Sequence, residues 1–309
     1  MSETRCGFIA LIGAPNAGKS TLLNALVGSK VSIVSRKAQT TRTAVRGILV
    51  EGAAQIIFVD TPGLFAPKRR LDRAMLASAW GAAGDADALA LLIDARQELH
   101  AAGAKTPDLS ESAKAILEPL AQIRAPKFLV LNKIDLVERS SLLALAERLN
   151  AALKFDDTFM ISAATGDGLE RLRGRLAEAM PPGPWLYPED QIADAPMRAL
   201  AAEITREKLF ERLHDELPYQ TTVETESWKD LPDGSARIEQ TIYVTRDSHK
   251  MIVIGEGGRT IKAIGSAARK EIAAANETPI HLFLFVKVRE NWLDDPERYR
   301  AMGLEFPKG

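Results

Sequence analysis

The sequence predicts two domains of different fold class: an α/β domain with a mostly parallel sheet and flanking helices, then a smaller α+β domain. From Phe8 to about residue 180, short β-rich runs alternate with longer segments rich in Ala, Leu and Glu, which indicates parallel strands joined by crossover helices. Five prolines in residues 181–196 interrupt the helical pattern and predict a linker. Beyond this linker a helix precedes two adjacent strands, and the alternation ends. The predicted domains are therefore residues 1–180 and 197–309.

The strands predicted for the first domain are short runs of apolar and β-branched residues. Five of them are expected to be parallel: Phe8–Ile12, Ile56–Val59, Leu89–Ile93, Phe128–Leu131 and Thr158–Ile161. A sixth, Val45–Val50, is expected to pair antiparallel with the second run, because only a tight turn at Glu51 and Gly52 separates the two.

The second domain is predicted to contain two longer helices and three strands. In chain order, its elements are a helix, two strands, a short apolar segment before a glycine-rich turn, a helix and a strand: Met197–Leu213, Thr221–Trp228, Ala236–Val244, Met251–Ile254, Thr260–Asn276 and Ile280–Val288. No internal repeat relates this domain to the first.

Composition excludes several classes of protein. The 309 residues carry a net charge of −1, so any nucleic-acid site must come from local clustering of charge. A single cysteine, Cys6, permits no intrachain disulfide, and the four histidines lack the spacing of a metal site. The longest apolar stretches are well short of the roughly 20 residues that a membrane helix needs. We expect a soluble cytoplasmic protein.

A phosphate-binding motif follows the first strand. Gly13–Ser20 fits G-x(4)-G-K-[ST] and is followed by a helical stretch, so backbone N–H groups and a helix N-terminus are expected to surround phosphate oxygens. Lys19 is expected to reach the β- and γ-phosphates, and Ser20 to ligate Mg²⁺. The alternative is a glycine-rich turn that only caps a helix. The nucleotide-binding residues predicted here are Asn16, Ala17, Gly18, Lys19, Ser20 and Thr21.

Two further segments are expected to complete the metal and phosphate site. Asp60 ends a strand and begins D-x-x-G, so it is expected to hold Mg²⁺, while the Gly63 amide contacts the γ-phosphate. The alternative is a simple β-turn. Residues 35–43 have few apolar anchors, and Thr40 and Thr41 are the candidates for a metal ligand. We select Thr41 as the metal ligand; the alternative is that residues 35–43 form only a solvated basic loop. The residues predicted to be catalytic are Thr41, Lys19, Gly63 and Asn16.

Guanine recognition is predicted at the ends of the next strands. Asn132, Lys133 and Asp135 form N-K-x-D, and the Asp135 carboxylate can accept hydrogen bonds from guanine N1–H and the 2-amino group, which adenine lacks. Ser162 and Ala163 end the following strand, where a backbone amide is expected to reach the 6-oxo group. The alternative is a coincidental junction between a strand and a turn. Four ordered motifs at strand ends are the signature of P-loop GTPases.

Two residues bear on hydrolysis. Leu64 follows Gly63 where many GTPases carry a water-orienting glutamine, so unaided hydrolysis is expected to be slow. In similar GTPases an asparagine at the position of Asn16 helps bind K⁺ beside the phosphates. The alternative role of Asn16 is to stabilise the loop by hydrogen bonding.

The second domain carries a G-x-x-G turn at Gly255–Gly258. Alone this motif is common, and a second match at Gly81–Gly84 lies in a helical segment. The turn at Gly255 is distinguished by flanking apolar residues and by a local net charge of +4 over residues 249–270. Glycines there would let nucleic-acid phosphates approach the backbone, as in KH domains. The residues predicted to bind RNA are Lys250, Ile254, Gly255, Gly257, Gly258, Arg259 and Lys262.

A P-loop GTPase followed by the element order of a type II KH domain, ending in LFVKVRENWLDDPERYRAMG, closely resembles the Era family of ribosome-assembly GTPases over nearly the whole chain. The resemblance implies GTP and GDP as ligands, and binding of single-stranded 16S ribosomal RNA near its 3′ end during maturation of the small (30S) ribosomal subunit. It also implies peripheral association with the inner membrane. We expect a monomer with no obligate protein partner.

The sequence departs from the family at Glu256, since Era proteins usually carry a basic residue inside this turn. A carboxylate facing phosphate is unfavourable, so a second hypothesis is a nucleotide-gated scaffold whose C-terminal domain binds protein. A third is a P-loop ATPase or kinase. The segment Arg96–Glu118 is longer than its family counterpart and has no predicted role.

Overall fold

The computed structural model describes residues 3–37, 39–101, 108–290 and 292–307. The chain forms two compact units. Among the described residues, the first unit contains those up to Ser32, Thr41–Asp194 and Pro307, and the second contains Ile33–Thr40 and Ala195–Phe306. The sequence prediction placed residues 33–40 in the first domain, whereas by their contacts they group with the second unit.

The first unit has the alternating order of strands and helices that the sequence predicted. Its elements are β1 (Arg5–Gly13), α1 (Lys19–Val27), β2 (Val45–Glu51), β3 (Ala54–Asp60), α2 (Arg70–Asp85), β4 (Ala88–Asp94), α3 (Ala95–Ala101), α4 (Glu111–Leu120), β5 (Lys127–Asn132), α5 (Arg139–Ala152), β6 (Asp157–Met160) and α6 (Leu169–Ala179).

These strands form a six-stranded sheet in the order β2-β3-β1-β4-β5-β6. All neighbouring pairs are parallel except β2 and β3, which pair antiparallel as the short turn predicted. Successive residues of β1 enter different cores: Ile9 and Leu11 pack on one face of the sheet, and Ala10 and Ile12 on the other. Burial on both faces explains why the strands read as continuous apolar runs.

The predicted linker is fastened to the first unit along much of its length. Gln55 is fully buried, and its side chain accepts hydrogen bonds from the amides of Leu186 and Tyr187 and donates one to the Tyr187 carbonyl. The Ile48 amide donates to the Ile192 carbonyl at 2.9 Å, so the linker also pairs with the edge strand β2. Pairing of this kind covers an otherwise open sheet edge.

The second unit contains α7 (Met197–Arg212), β7 (Thr221–Asp230), β8 (Ala236–Val244), α8 (Asp247–Ile254), α9 (Arg259–Asn276), β9 (Ile280–Val288) and α10 (Pro296–Ala301). Its sheet has the order β7-β8-β9, with β7 and β8 antiparallel and β8 and β9 parallel. Helices α7 and α9 pack against each other and against this sheet. The element order is the predicted one.

The second unit has a helix directly before the glycine-rich turn, as the predicted order of a type II KH domain requires. The apolar segment Met251–Ile254 belongs to helix α8, which begins at Asp247. Val253 is its fully buried residue, while Met251 and Ile252 are exposed, because only one side of this short helix faces the core. Ile264 in α9 is fully buried, as expected. Within the described parts of both units, no helix has the length and apolar character required to cross a bilayer.

Candidate functional site

The phosphate-binding loop joins β1 directly to α1. Gly18 precedes the helix with φ of +99°, and a Cβ placed there would lie 2.2 Å from Asn132 Nδ2, so only glycine fits. Lys19 Nζ donates to the carbonyl oxygens of Gly13 and Ala14, each at 3.1 Å. Burial lowers the pKa of Lys19 to about 8, against the opposing effect of the Asp60 charge.

Oxygen atoms of Ser20, Thr41 and Asp60 meet beside this loop. Ser20 Oγ donates to Asp60 Oδ2 at 2.6 Å and lies 3.1 Å from Thr41 Oγ1. Ser32 Oγ also donates to Asp60 Oδ2, at 2.8 Å. Burial raises the pKa of Asp60, while Lys19 and the neighbouring hydroxyls oppose that shift. Sequence analysis did not identify Ser32, which no motif marks.

This oxygen cluster fits a hard cation such as Mg²⁺. Asp60 Oδ1 is buried and has no hydrogen-bond partner among the described residues, so it is available to a ligand. Carboxylate and hydroxyl oxygens are the protein ligands that Mg²⁺ uses together with substrate phosphates. The structure also separates the two threonine candidates, since Thr40 Oγ1 donates to the Lys37 carbonyl and only Thr41 lies beside Ser20.

The predicted base-recognition residues connect three loops. Asn132 donates from Nδ2 to the Ala17 carbonyl at 2.8 Å and accepts at Oδ1 from the Ala163 amide at 3.0 Å. Ser162 Oγ accepts from the Thr165 amide, which shapes the turn after β6. Asp135 lies exposed in a short 3-10 turn after β5. The Ala163 amide is therefore bonded to Asn132 in this structure.

Lys133 links the base-recognition loop to the phosphate loop. Its Nζ donates to the Asn16 carbonyl at 2.7 Å and forms an ion pair with Asp94 at 2.6 Å. Sequence analysis missed Asp94, although a usable signal was present: it ends strand β4 with the same pattern, an apolar run closed by a polar residue, that marked Asp60 and Asn132.

Gly63 and Leu64, which follow Asp60 along the chain, form the other side of the phosphate loop. A Cβ at Gly63 would lie 2.8 Å from Pro15 Cα, so glycine permits the close approach of these two loops. The Leu64 amide donates to the Gly13 carbonyl at 3.0 Å, and its side chain is buried in the hydrophobic core. Leu64 thus presents no polar group to orient water. Asn16 adopts a left-handed conformation with φ of +63°.

The G-x-x-G turn lies between α8 and α9. Gly255, Gly257 and Gly258 have φ of +74°, +59° and +76°, which favours glycine at each. A Cβ at Gly257 or Gly258 would meet no atom within 4 Å, so a ligand can approach the backbone there. Glu256 forms an ion pair with Arg259, and both side chains are exposed.

Additional basic side chains flank the turn. Lys250 in α8 is half-buried, and Lys262 in α9 is exposed. Ile254, which ends α8, is half-buried and so contributes less to the core than its neighbour Val253.

The first unit and its site define a P-loop GTPase, and the second unit has the order and glycine turn of a KH domain. Comparison with family models agrees, since one described as "50S ribosome-binding GTPase" matches residues 8–133 and one described as "KH domain" matches residues 216–293. The chain belongs to the Era family of GTPases, because it is similar over nearly its whole length to proteins of that name.

GTPase Era of Afipia carboxidovorans is 66% identical over 305 residues, which are 99% of this chain and 96% of the relative. GTPase Era of Rhizobium meliloti is 62% identical over 305 residues, or 99% of this chain and 94% of the relative.

Solved structures of Era are also similar. A complex of Era with MgGDPNP and nucleotides 1506–1542 of 16S ribosomal RNA has a TM-score of 0.89 at 35% identity, covering 97% of this chain and 99% of that chain. A point variant of Aquifex aeolicus Era bound to GDP and tetrafluoroaluminate has a TM-score of 0.88 at 35% identity with the same coverage. The protein is a GTPase with a C-terminal KH domain.

Proposed function

We propose that this GTPase binds 16S ribosomal RNA near its 3′ end through the KH domain and acts in maturation of the small ribosomal subunit. The observation that carries this proposal is the turn between α8 and α9, where glycines leave the backbone open beside a cluster of basic residues. Support also comes from the related Era structure, which contains a segment of 16S RNA.

Two alternatives concern the partner. The description of the family model that matches residues 8–133 names the 50S subunit, whereas 16S RNA belongs to the small subunit. A protein-binding scaffold was suggested by Glu256, but the Glu256 carboxylate is paired with Arg259, which reduces its repulsion of phosphate. The geometry therefore favours RNA over protein as the partner.

We expect Gly257→Asp to reduce binding of a 3′-terminal 16S RNA fragment by at least about tenfold, because a carboxylate and a side chain would face the RNA phosphates. Gly234→Asp is the matched control: Gly234 also has positive φ and open space, and it lies in the β7–β8 turn of the same unit. Fluorescence anisotropy with the labelled fragment measures both affinities. Equal affinity for the two variants would refute the RNA site, and a preference for 23S over 16S fragments would refute the small-subunit assignment.

For the nucleotide, we propose that GTP and GDP occupy the phosphate and base loops of the first unit. Lys19 and the amides of residues 16–21 hold the phosphates, while Asn132, Lys133, Asp135, Ser162 and Ala163 form the base side. Ser20, Thr41 and Asp60 hold Mg²⁺, which supplies charge neutralisation at the phosphate oxygens when it is bound. The unpartnered Asp60 Oδ1 supports this assignment.

For hydrolysis, we propose that catalysis depends on Lys19, Thr41, the Gly63 amide and Asn16. The buried position of Leu64 excludes its side chain from orienting water, so unaided turnover is slow. Asn16 then has a role in binding K⁺ beside the phosphates, where a positive charge stabilises the transition state.

The potassium proposal predicts that GTP hydrolysis is faster in KCl than in NaCl, by at least about fivefold, because a bound cation stabilises developing charge on the phosphates. Asn16→Ala should abolish the difference between the salts, because it removes the side-chain amide and keeps the backbone carbonyl that contacts Lys133. Phosphate release under matched ionic strength measures the rates. Equal rates for the unmodified protein in both salts would exclude a K⁺ site.

We propose a cytoplasmic location with peripheral association with the inner membrane, and a monomeric state. The membrane association rests on the family resemblance alone, whereas the cytoplasmic location was inferred from the composition. Fractionation of cell lysates, with salt washes of the membrane pellet, tests the location, because a peripheral protein is released by salt.

A further inference from the structure

We propose that the second unit carries a further contact for single-stranded RNA on the face of its sheet that is turned away from helices α7 and α9. On this face, which we call the outer sheet face, Phe283 and Phe285 of β9 stack on RNA bases, and basic side chains beside them contact phosphates. The inference rests on the proposed RNA-binding function and extends it to a second surface of the same domain.

Alternate residues of β9 point to opposite faces of the sheet. Leu282, Leu284 and Val286 are half-buried and pack into the hydrophobic clusters that the helices cover. Because side chains alternate along a strand, the residues between them lie on the outer sheet face. These residues are all exposed: His281, Phe283, Phe285 and Lys287.

The two phenylalanines give this face a pair of open aromatic rings. Phe283 is 41% exposed and Phe285 is 49% exposed, although phenylalanine is among the residues most often buried. They are two residues apart, about 7 Å along the strand, so each ring has room for its own base. Sheets that present aromatic residues in this way bind single-stranded RNA, because every base has a flat face that stacks on a ring.

A guanidinium group adds a second stacking surface. Arg237 of β8 lies beside His281 in the sheet, and its Cζ is 4.3 Å from the centroid of the Phe283 ring. Arginine planes stack on unpaired bases as aromatic rings do, and they also carry a positive charge. Among the described residues no cation and no second ring is stacked on Phe285, so that ring is open to a base.

Basic residues lie at both ends of the aromatic pair. Lys229, Arg237 and His281 occupy neighbouring positions on the three strands, and all three are exposed. Lys287 lies two residues beyond Phe285 at the other end. Neither lysine forms an ion pair with another residue in the described part of the chain, so both charges are available to phosphate groups.

Three carboxylates also belong to this face, and each has a partner inside the second unit. The pairs are Glu239 with Arg237, Glu224 with Arg298, and Glu226 with the Tyr243 hydroxyl. A paired carboxylate repels phosphate less than a free one. The acidic residues of β7 and β8 therefore leave the row of residues along β9 suitable for an anionic ligand.

A protein partner fits this surface less well than RNA. Within the described residues of the three strands, Phe283 and Phe285 are the only large apolar side chains that are exposed. Stable protein interfaces bury about 800 Å² on each partner around an apolar centre that is depleted of charge. Here charged residues lie beside both rings, and stacking combined with phosphate contacts is how proteins bind single strands.

The test uses the full-length protein and changes that keep the strand intact. The double variant Phe283→Thr, Phe285→Thr removes both rings, and threonine is favoured in strands. Phe285→Leu keeps an apolar side chain without a ring, whereas Phe285→Tyr keeps the ring. Leu143→Ala is the matched control, since it removes an exposed apolar side chain from helix α5 of the first unit. Thermal melting verifies that each variant is folded.

Fluorescence anisotropy measures affinity for two labelled RNAs, the 3′-terminal 16S fragment and an oligouridine of about 20 nucleotides. We expect the double threonine variant to weaken both RNAs by at least about tenfold, and Phe285→Leu by about fivefold, because base stacking is lost. Phe285→Tyr and Leu143→Ala should bind within about twofold of the unmodified protein, since the rings are retained.

Ultraviolet crosslinking followed by mass spectrometry locates the contact. The tryptic peptide of residues 271–287 contains both rings. At saturating RNA, crosslinks at Phe283 or Phe285 should form in the unmodified protein and in Gly257→Asp. The double threonine variant should show none in this peptide. Crosslinks confined to the glycine turn would overturn the inference.

The outcomes separate this inference from the proposed function. If Gly257→Asp weakens the 16S fragment but the double threonine variant binds both RNAs normally, the outer sheet face is excluded and the glycine turn stands. If only the double threonine variant loses affinity, the outer sheet face is supported and the glycine turn is wrong. If the unmodified protein binds neither RNA, both fall.

Two further results would overturn the stacking role. Equal affinities of Phe285→Leu and Phe285→Tyr for RNA would show that the ring itself is not required. Light scattering identifies the other occupant: a dimer of the unmodified protein that the double threonine variant abolishes, with RNA affinity unchanged, would assign the outer sheet face to a second copy of the chain.

Discussion

Replacing Asp135 by Asn is expected to lower affinity for GTP by about 10³-fold and to raise affinity for xanthosine triphosphate. The Asp135 carboxylate can accept two hydrogen bonds from guanine. The NH₂ group of an asparagine would face a guanine N–H group, and two donors cannot form a hydrogen bond, so groups of the base would be left unpaired. Xanthine offers an oxygen where guanine has its amino group, so it matches the amide. Asp135 lies exposed on a short turn, so its replacement leaves the packing of the core unchanged.

Competition titrations with GDP, XDP and ADP measure this change of preference. Glu138→Gln is the control, because it removes one exposed carboxylate three residues further along the same loop. A variant that loses guanine binding without gaining xanthine binding would show that Asp135 does not read the base. Tight binding of ADP by the unmodified protein would instead support the P-loop ATPase or kinase hypothesis.

Much of the first unit was predictable because the sequence signals for its strands and motifs lie in neighbouring residues. Strands β1, β3 and β5 are apolar runs, and each ends where a motif begins, so sequence order alone brings Lys19, Asp60 and Asn132 to one edge of the sheet. The antiparallel strand β2 was predicted from a short turn. These features follow from neighbouring residues and from the parallel sheet that they define.

The features that sequence analysis missed depend on contacts between distant positions. Ser32 was not identified as a partner of Asp60, although the two residues are hydrogen-bonded. Val34 and Glu207 are 173 positions apart, and Arg206 and Thr40 are 166 apart. These contacts with residues 33–40 contribute to the burial of Arg206 and Glu207, which the sequence pattern of α7 alone does not reveal.

The choice between Thr40 and Thr41 illustrates the same limit. Both carry a hydroxyl, and the sequence offers no local reason to prefer either one. In the structure the Thr40 hydroxyl is bonded to the Lys37 carbonyl, whereas Thr41 lies beside Ser20. The selection of Thr41 remains a prediction until metal binding is measured, but the geometry supports it.

Replacing Gly18 by Ala is expected to lower nucleotide affinity by more than about 10²-fold, because it disturbs the phosphate and base loops together. The new Cβ would lie 2.2 Å from Asn132 Nδ2, which donates to the Ala17 carbonyl. Asn132 would have to move, and its bond to the Ala163 amide would be lost with it. Isothermal titration with GDP measures the affinity.

Gly28→Ala is a close control for Gly18→Ala, since the two glycines flank the same helix. Gly28 also has positive φ, +78°, so alanine there carries a similar backbone cost of about 1 kcal/mol. A Cβ at Gly28 would meet no atom within 4 Å, so no neighbour is displaced. Both variants should melt at a lower temperature, but only Gly18→Ala should lose nucleotide. If both bind GDP equally well, the close packing of Gly18 against Asn132 is not what holds the two loops in register.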